Sequence, residues 1–321
     1  MQRAFYIRRL VKRLLSFVLI ISLISIFAVA EGIQEEPPVG TSQLQPLTIL
    51  VPQSVSSIPV LALADDFPGT YSVSFFTDHP QALARLLSGE IDVLMTGYSV
   101  GLRRYLTEGD LVHVATPVWG VSALMTSEEI DSWQDLRGGV VYAPFEGSPI
   151  DLYLQKSLEA EGLTDEVEVR YAPFPQSSAL LAQGDADAAV LVEPIASRLE
   201  TTGAAYRLEN LHEGWGRLTG GEQRSPQVSF FVTDSTALEQ ASALSTLIER
   251  LDEALGDVVA APEGFAARYA NVLGFPEPVV EHALRNTLFD LPSAGETRQV
   301  IGLYSEMIGF DEPGVEFYLD E

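Results

Sequence analysis

Short apolar runs separated by amphipathic stretches recur along most of this 321-residue chain. Runs of the strand type stand at 47–51, 71–76, 91–95, 140–144, 167–171, 188–192 and 228–232, and 111–119 reads as a further extended segment. Between them the apolar spacing turns helical. Asp78 with Gln81 three residues later marks a start, and Leu83, Leu86 and Leu87 follow on one face. Ile150, Tyr153, Leu154 and Leu158 do the same behind Pro149, and Gly89 and Gly162 stand where those helices should stop. After residue 233 the spacing of Leu238, Leu244, Leu247, Ile248, Leu251 and Leu255 is mostly helical, whereas 210–225 reads as irregular and Gly-rich. Strands alternating with helices predict an α/β fold class, with mostly parallel sheets flanked by helices.

The pattern occurs twice. With an offset of 95, the stretch Leu86, Leu87, Ser88, Gly89, Glu90, Ile91, Asp92, Val93 lies over Leu181, Ala182, Gln183, Gly184, Asp185, Ala186, Asp187, Ala188. Each copy is a helix end, a Gly stop, an acidic turn and a buried strand. Upstream of each, residues 51–59 and 143–149 both read as strand end, Pro-containing polar loop and a helix opening on Pro. Two similar α/β lobes are implied. Ligands of open α/β sheets bind outside the carboxyl ends of the strands. Four loops are therefore candidates: 53–57, 96–99, 145–149 and the pair Glu193-Pro194.

The first thirty residues change the picture of where the chain works. Arg3, Arg8, Arg9, Lys12 and Arg13 precede an almost wholly apolar run over 14–29, which closes on Ala28-Val29-Ala30. This is the layout of a secretory signal peptide over 1–30 cleaved after Ala30, with an uncleaved anchor as the alternative. Residues 31–45, rich in Pro, Gly and acid, read as a flexible linker. Loss of the five basic residues would leave 14 Lys and Arg against 45 Asp and Glu, a net charge of about −31. Such a surface repels nucleic acid and anionic lipid. Cysteine is absent, which removes disulfides, thiolate metal sites and a Cys nucleophile. His79, His113, His212 and His282 are scattered without metal-site spacing, and Asp185 with Asp187 reads as a structural turn matching Glu90 and Asp92. No metal or other cofactor is implied. No G-x-S-x-G, P-loop or paired-carboxylate pattern marks an enzyme.

The loops supply the candidate ligand-binding residues. Ser54, Ser56 and Ser57 belong to the first, Thr96, Tyr98 and Ser99 to the second, and Phe145, Gly147 and Ser148 to the third. Ser148 before Pro149 reads equally as a plain helix cap. Glu193 could accept from an amine, amidine or ring N–H, or could serve only its own helix. Trp119 could stack on a planar ligand, as could Tyr98, Tyr142 or Phe145, with core packing as the alternative for each. Trp133 reads as packing beneath its turn, Ser132 with Asp135 as a cap, and Trp215 as a rim or lid residue.

Several phrases taken together resemble a known family. They are Leu86-x-x-Gly89-Glu90-Ile91-Asp92-Val93, Trp133-x-Asp135-Leu136-Arg137-Gly138, Gly147-Ser148, and Ala179-Leu180-x-x-Gly184-Asp185-Ala186-Asp187-Ala188 leading to Glu193-Pro194. In order and spacing, over about 47–232, the chain looks like a type II periplasmic solute-binding protein of the nitrate/sulfonate/taurine and thiamine-precursor group. The resemblance implies a two-lobed clamp, periplasmic or otherwise extracytoplasmic, that hands a small molecule to an ABC permease and ATPase. It implies lobe one at 46–119 and 226–321 and lobe two at 120–225, with crossings near 118–123 and 224–228. The clamp is expected to act as a monomer without catalysis, although some of the wider group synthesise a pyrimidine. The candidate loops hold no Lys or Arg, and Glu193 is acidic. A planar or nitrogen-containing ligand of the pyrimidine or vitamin-precursor type is therefore expected, with a sulfonate- or nitrate-type anion, or a sensory clamp, as alternatives.

Overall fold

A computed structural model describes residues 45–319; the expected signal peptide and nearly all of the expected linker lie outside them. Two sheets organise the chain. The first has the order β11-β4-β10-β3-β1-β2, from β1 (Leu47–Pro52), β2 (Tyr71–Phe76), β3 (Val93–Gly97), β4 (Leu111–Gly120), β10 (Val228–Thr233) and β11 (Leu288–Phe289). Strands β1 to β4 share one direction, and β10 and β11 oppose them. The second sheet has the order β7-β6-β8-β5-β9, from β5 (Ser122–Thr126), β6 (Val140–Ala143), β7 (Glu168–Tyr171), β8 (Ala188–Val192) and β9 (Tyr206–Asn210). Here β5 alone runs against the rest. Strands buried on both faces read as largely apolar runs, and β4 is buried at all ten residues, with His113 and Thr116 as its polar members.

Helices cover both faces. Against one face of the first sheet lie α1 (Ile58–Asp66), α9 (Ala241–Ala260), α10 (Pro262–Leu273) and α11 (Glu277–Arg285), sharing one apolar cluster with Ile49, Val51, Met95 and Phe230. The opposite face holds α2 (His79–Leu87), α3 (Tyr98–Glu108) and α12 (Ala294–Ile308). Around the second sheet lie α4 (Pro149–Ala160), α5 (Phe174–Gln183), α6 (Ile195–Thr201) and α7 (Leu211–Thr219), and α8 (Asp234–Glu239) follows β10. The cluster beneath α2, α3 and α12 does not stop at the first sheet. It continues through Tyr304 and Trp215, whose rings are 5.6 Å apart, into Tyr153, Leu124, Val141 and Val190 of the second.

The sequence repeat has a structural cause. Gly89 and Gly184 both take the left-handed conformation, at φ 73° and 75°, where a side chain would be strained. Asp92 and Asp187, equivalent under the offset of 95, each bind the backbone at the start of a neighbouring parallel strand. Thr48 N–H donates to Asp92 Oδ2 at 2.7 Å and Val140 N–H to Asp187 Oδ2 at 2.7 Å. The acidic turn is thus an anchor that sets strand register twice.

Two expectations need correction. Residues 210–225 are not wholly irregular, because Asn210 and Glu213 form a capping box that opens helix α7. Trp215 lies inside that helix at 1% exposure, packed on Tyr153 and Tyr304, and is neither rim nor lid. Gly214 and Gly216 mask the helical pattern. At Gly214 no side chain could fit, because the Tyr153 hydroxyl occupies the space a Cβ would need.

Candidate ligand-binding site

The connections between the sheets place the candidate loops. Strand β4 ends at Gly120, a single residue intervenes, and β5 begins at Ser122 opposite Val192, the last residue of β8. The chain therefore leaves the first sheet and enters the second at their carboxyl edges. It returns the same way, since β9 ends near Ala123 and β10 begins with Val228 opposite Gly97 and Val118. Backbone bonds stitch this junction: Glu193 N–H to the Val121 carbonyl at 2.8 Å, Ser225 N–H to Trp119 at 3.2 Å, Gln227 N–H to Val118 at 3.0 Å, and Tyr98 N–H to Gln227 at 3.0 Å. Gly120 is required here, because a Cβ would enter the His212 ring.

On the first sheet, the β1 loop forms a short 3-10 turn (Val55–Ser57) in which Ser56 and Ser57 are buried. The Ser57 hydroxyl donates to the Pro52 carbonyl, whereas the Ser54 side chain makes no capping bond. Thr96, 1% exposed, lies 2.8 Å through Oγ1 from Nδ1 of His79, which opens α2 and stands against Phe76. Burial lowers the His79 pKa, partly opposed by Asp78. Ser99 is half-buried on the first turn of α3. Tyr98 is fully enclosed by His113, Tyr304 and Phe317, and burial raises its hydroxyl pKa. Trp119 is fully buried and donates Nε1–H to the Asp290 carbonyl at 3.1 Å.

On the second sheet, Phe145 is 58% exposed at the tip of its loop. Ser148 is buried and caps α4, its hydroxyl accepting from Asp151 N–H at 3.1 Å. Gly147, at φ 72°, turns its N–H onto the Asp151 carboxylate at 2.8 Å, and the Tyr171 hydroxyl also donates to that carboxylate, at 3.2 Å. Asp151 thereby draws the loop onto its own helix. Glu193, 2% exposed, accepts from Arg207 Nη2 at 2.7 Å and from Ser197 N–H at 3.1 Å.

Arg207, on β9, was not visible from the loops alone. It also bonds Glu200 at 2.8 Å and Asn210 at 2.8 Å. Glu200 in turn meets His282 of α11 at 2.9 Å, linking α6 to a helix of the first sheet's side. Burial alone would raise the Glu200 carboxyl pKa, but Arg207 and His282 hold it below the usual range. His79 and Arg207 carry the weakest sequence signals, because each acts through a partner distant along the chain. The anchoring aspartates were local and could be read, whereas the capping box that opens α7 falls in the stretch that reads as irregular. Among the described residues no cluster of three or more His, Cys, Asp or Glu could hold a metal ion.

No protein-family model matches the chain, and no curated protein matches it in sequence. Solved structures do. The chain is similar to the periplasmic aliphatic sulphonate binding protein SsuA of Escherichia coli, with a TM-score of 0.66 and 21% identity over 83% of this chain and 86% of that one. It resembles an ABC transporter structure from Parabacteroides distasonis at TM-score 0.72 and 16% identity, covering 86% and 99%. It also resembles the alkanesulfonate-binding protein SsuA of Xanthomonas axonopodis pv. citri bound to MOPS, at TM-score 0.61 and 25% identity, covering 81% and 90%. These likenesses establish the two-sheet fold of periplasmic binding proteins.

Proposed function

We propose that this chain is the extracytoplasmic solute-binding component of an ABC importer, closing 46–119 with 226–321 against 120–225 around one small organic molecule. The observation that carries this reading is the double crossing at the carboxyl edges, which brings the loops at the strand ends of both sheets to one junction. The partners are a permease and its ATPase, and the motion is hinge closure about the crossings. No catalytic role is assigned.

The ligand carries a compact anionic head of the sulfonate type on an apolar body. Arg207 stands beside Glu193 and answers Glu200 as well, so Glu193 meets a cation at the junction and the electrostatic objection to an anion is weakened. Ser54, Ser99 and the His79–Thr96 pair offer hydrogen-bonding groups on one side, and the exposed ring of Phe145 offers apolar surface on the other. A planar nitrogen-containing ligand of the pyrimidine or vitamin-precursor type is the second reading, favoured by the lack of Lys and Arg in the four loops.

A thermal-shift series on the purified chain tests both, because a ligand that binds only the folded state raises stability by mass action. Stabilisation by ethanesulfonate or MOPS, lost in Ser54→Ala, is expected. Stabilisation by hydroxymethylpyrimidine alone selects the second reading, and no response to either class removes both.

A further inference from the structure

A cavity of about 770 Å³ opens on the outer side of the first sheet, and none of its described lining residues comes from the four strand-end loops. Its floor is the outer edge of β4. Leu319 N–H bonds the His113 carbonyl at 2.9 Å and Asp290 N–H bonds the Pro117 carbonyl at 3.3 Å, and the residues between these two bonds, 114–116, face the opening. One wall is α9; the other is the chain from Leu291 to Thr297. The volume lies within the roughly 300–1,000 Å³ of small-molecule sites.

The chemistry of the lining is asymmetric. Val114, Ala115, Ile248 and Leu291 give it a largely apolar interior. Its deepest polar groups are already satisfied, His113 Nε2 lying 2.8 Å from Thr116 Oγ1 and that hydroxyl 2.7 Å from Ser229 Oγ. Burial pushes the His113 pKa down to about 3, so the floor is neutral at ordinary pH. No Lys or Arg is among the described lining residues. At the rim, Glu249 and Asp252 stand three residues apart on α9, both exposed, and no cation pairs with either among the described residues. Neighbours at that spacing share one helix face.

We infer that this cavity is a second small-molecule site, selective for an organic cation whose apolar body lies on Val114, Ile248 and Leu291 while its ammonium head sits between Glu249 and Asp252. An exposed carboxylate pair alone attracts a cation weakly. An apolar pocket alone does not discriminate charge. Joined at one mouth, they favour a molecule with both features and reject an anion of the same shape.

Titration calorimetry on the intact chain, in about 150 mM salt so that distant charges are screened, tests the assignment with n-hexylammonium as probe. One-to-one binding is expected, with methylammonium and hexanoate both failing to bind. Glu249→Gln with Asp252→Asn should weaken it about tenfold, equivalent to ~1.4 kcal/mol. Ser245→Trp, at an exposed position on the α9 wall, should fill the mouth and abolish binding, whereas Ser54→Ala in the strand-end loop should leave it unchanged. No heat with hexylammonium up to about 10 mM, a concentration covering weak sites, overturns the proposal. So does equal binding of hexanoate, or undiminished affinity in the doubly neutralised variant. None of these outcomes depends on the ligand held between the lobes.

Discussion

Arg207 shows how one side chain sets the electrostatics of a junction. It is nine-tenths buried and answers two carboxylates, Glu193 and Glu200. Removing it as Arg207→Met strands the buried Glu193 and leaves Glu200 with His282 alone, and breaking a buried pair from one side costs about 3–5 kcal/mol. Glu193→Gln keeps an acceptor for Ser197 N–H and leaves Arg207 bound to Glu200, so the loss should be only about 1–2 kcal/mol. Urea denaturation ranks the two, and an Arg207→Met no worse than Glu193→Gln would contradict the pairing. His113 gives the pH counterpart. Burial takes its pKa from 6.5 to about 3, so on acidification the unfolded chain takes up the proton first. The stability it contributes is complete above pH 6.5 and falls toward pH 3, by up to ~1.4 kcal/mol per unit. His113→Phe should reduce the acid slope of stability by about one proton, with Thr116 still bonded to Ser229. An unchanged slope would clear His113 of that role. Ser148 illustrates what could be read at this scale: a Ser before Pro at the head of a helical run offers a cap, and its hydroxyl does accept from Asp151 N–H. The partner of Glu193 could not be read, because it arrives on a strand that only the folded sheet brings alongside.

At the scale of elements, legibility followed locality. The helix stops at Gly89 and Gly184 and the aspartates after them state their roles within a few residues, and the repeat exposed them. Strands β5 and β9 gave no comparable signal. They are short, run antiparallel to each other, and depend on pairing set by the crossing rather than by a turn between them. Helix α7 was hidden for a different reason: the glycines that disguise it are there to admit neighbouring side chains, Tyr153 at Gly214 and Gln223 at Gly216. The contact of α7 with the crossing is testable. Gly120→Ala pushes a methyl group into the His212 ring and should cost about 1–3 kcal/mol by overpacking. Adding His212→Ala should recover part of that loss in a double-mutant cycle, and strict additivity would show that the two residues do not meet.

At the scale of the whole molecule, the described residues, 45–319, form one compact unit despite their two sheets. The apolar cluster that runs through Tyr98, Tyr304 and Trp215 joins them on one face. Calorimetry should therefore record one cooperative unfolding transition, with calorimetric and van't Hoff enthalpies in agreement. Two resolved transitions would show that the shared cluster does not couple the sheets. The single residue Val121 between β4 and β5 has a further consequence. Side chains along an extended chain alternate sides, so this short connection passes the phase of one sheet directly to the next. One extra residue there would exchange the inner and outer rows of β5, turning Leu124 away from Trp215 and its neighbours. The junction thus behaves as a fixed-length gear tooth: lengthening the crossing by an odd count would take the two halves out of mesh.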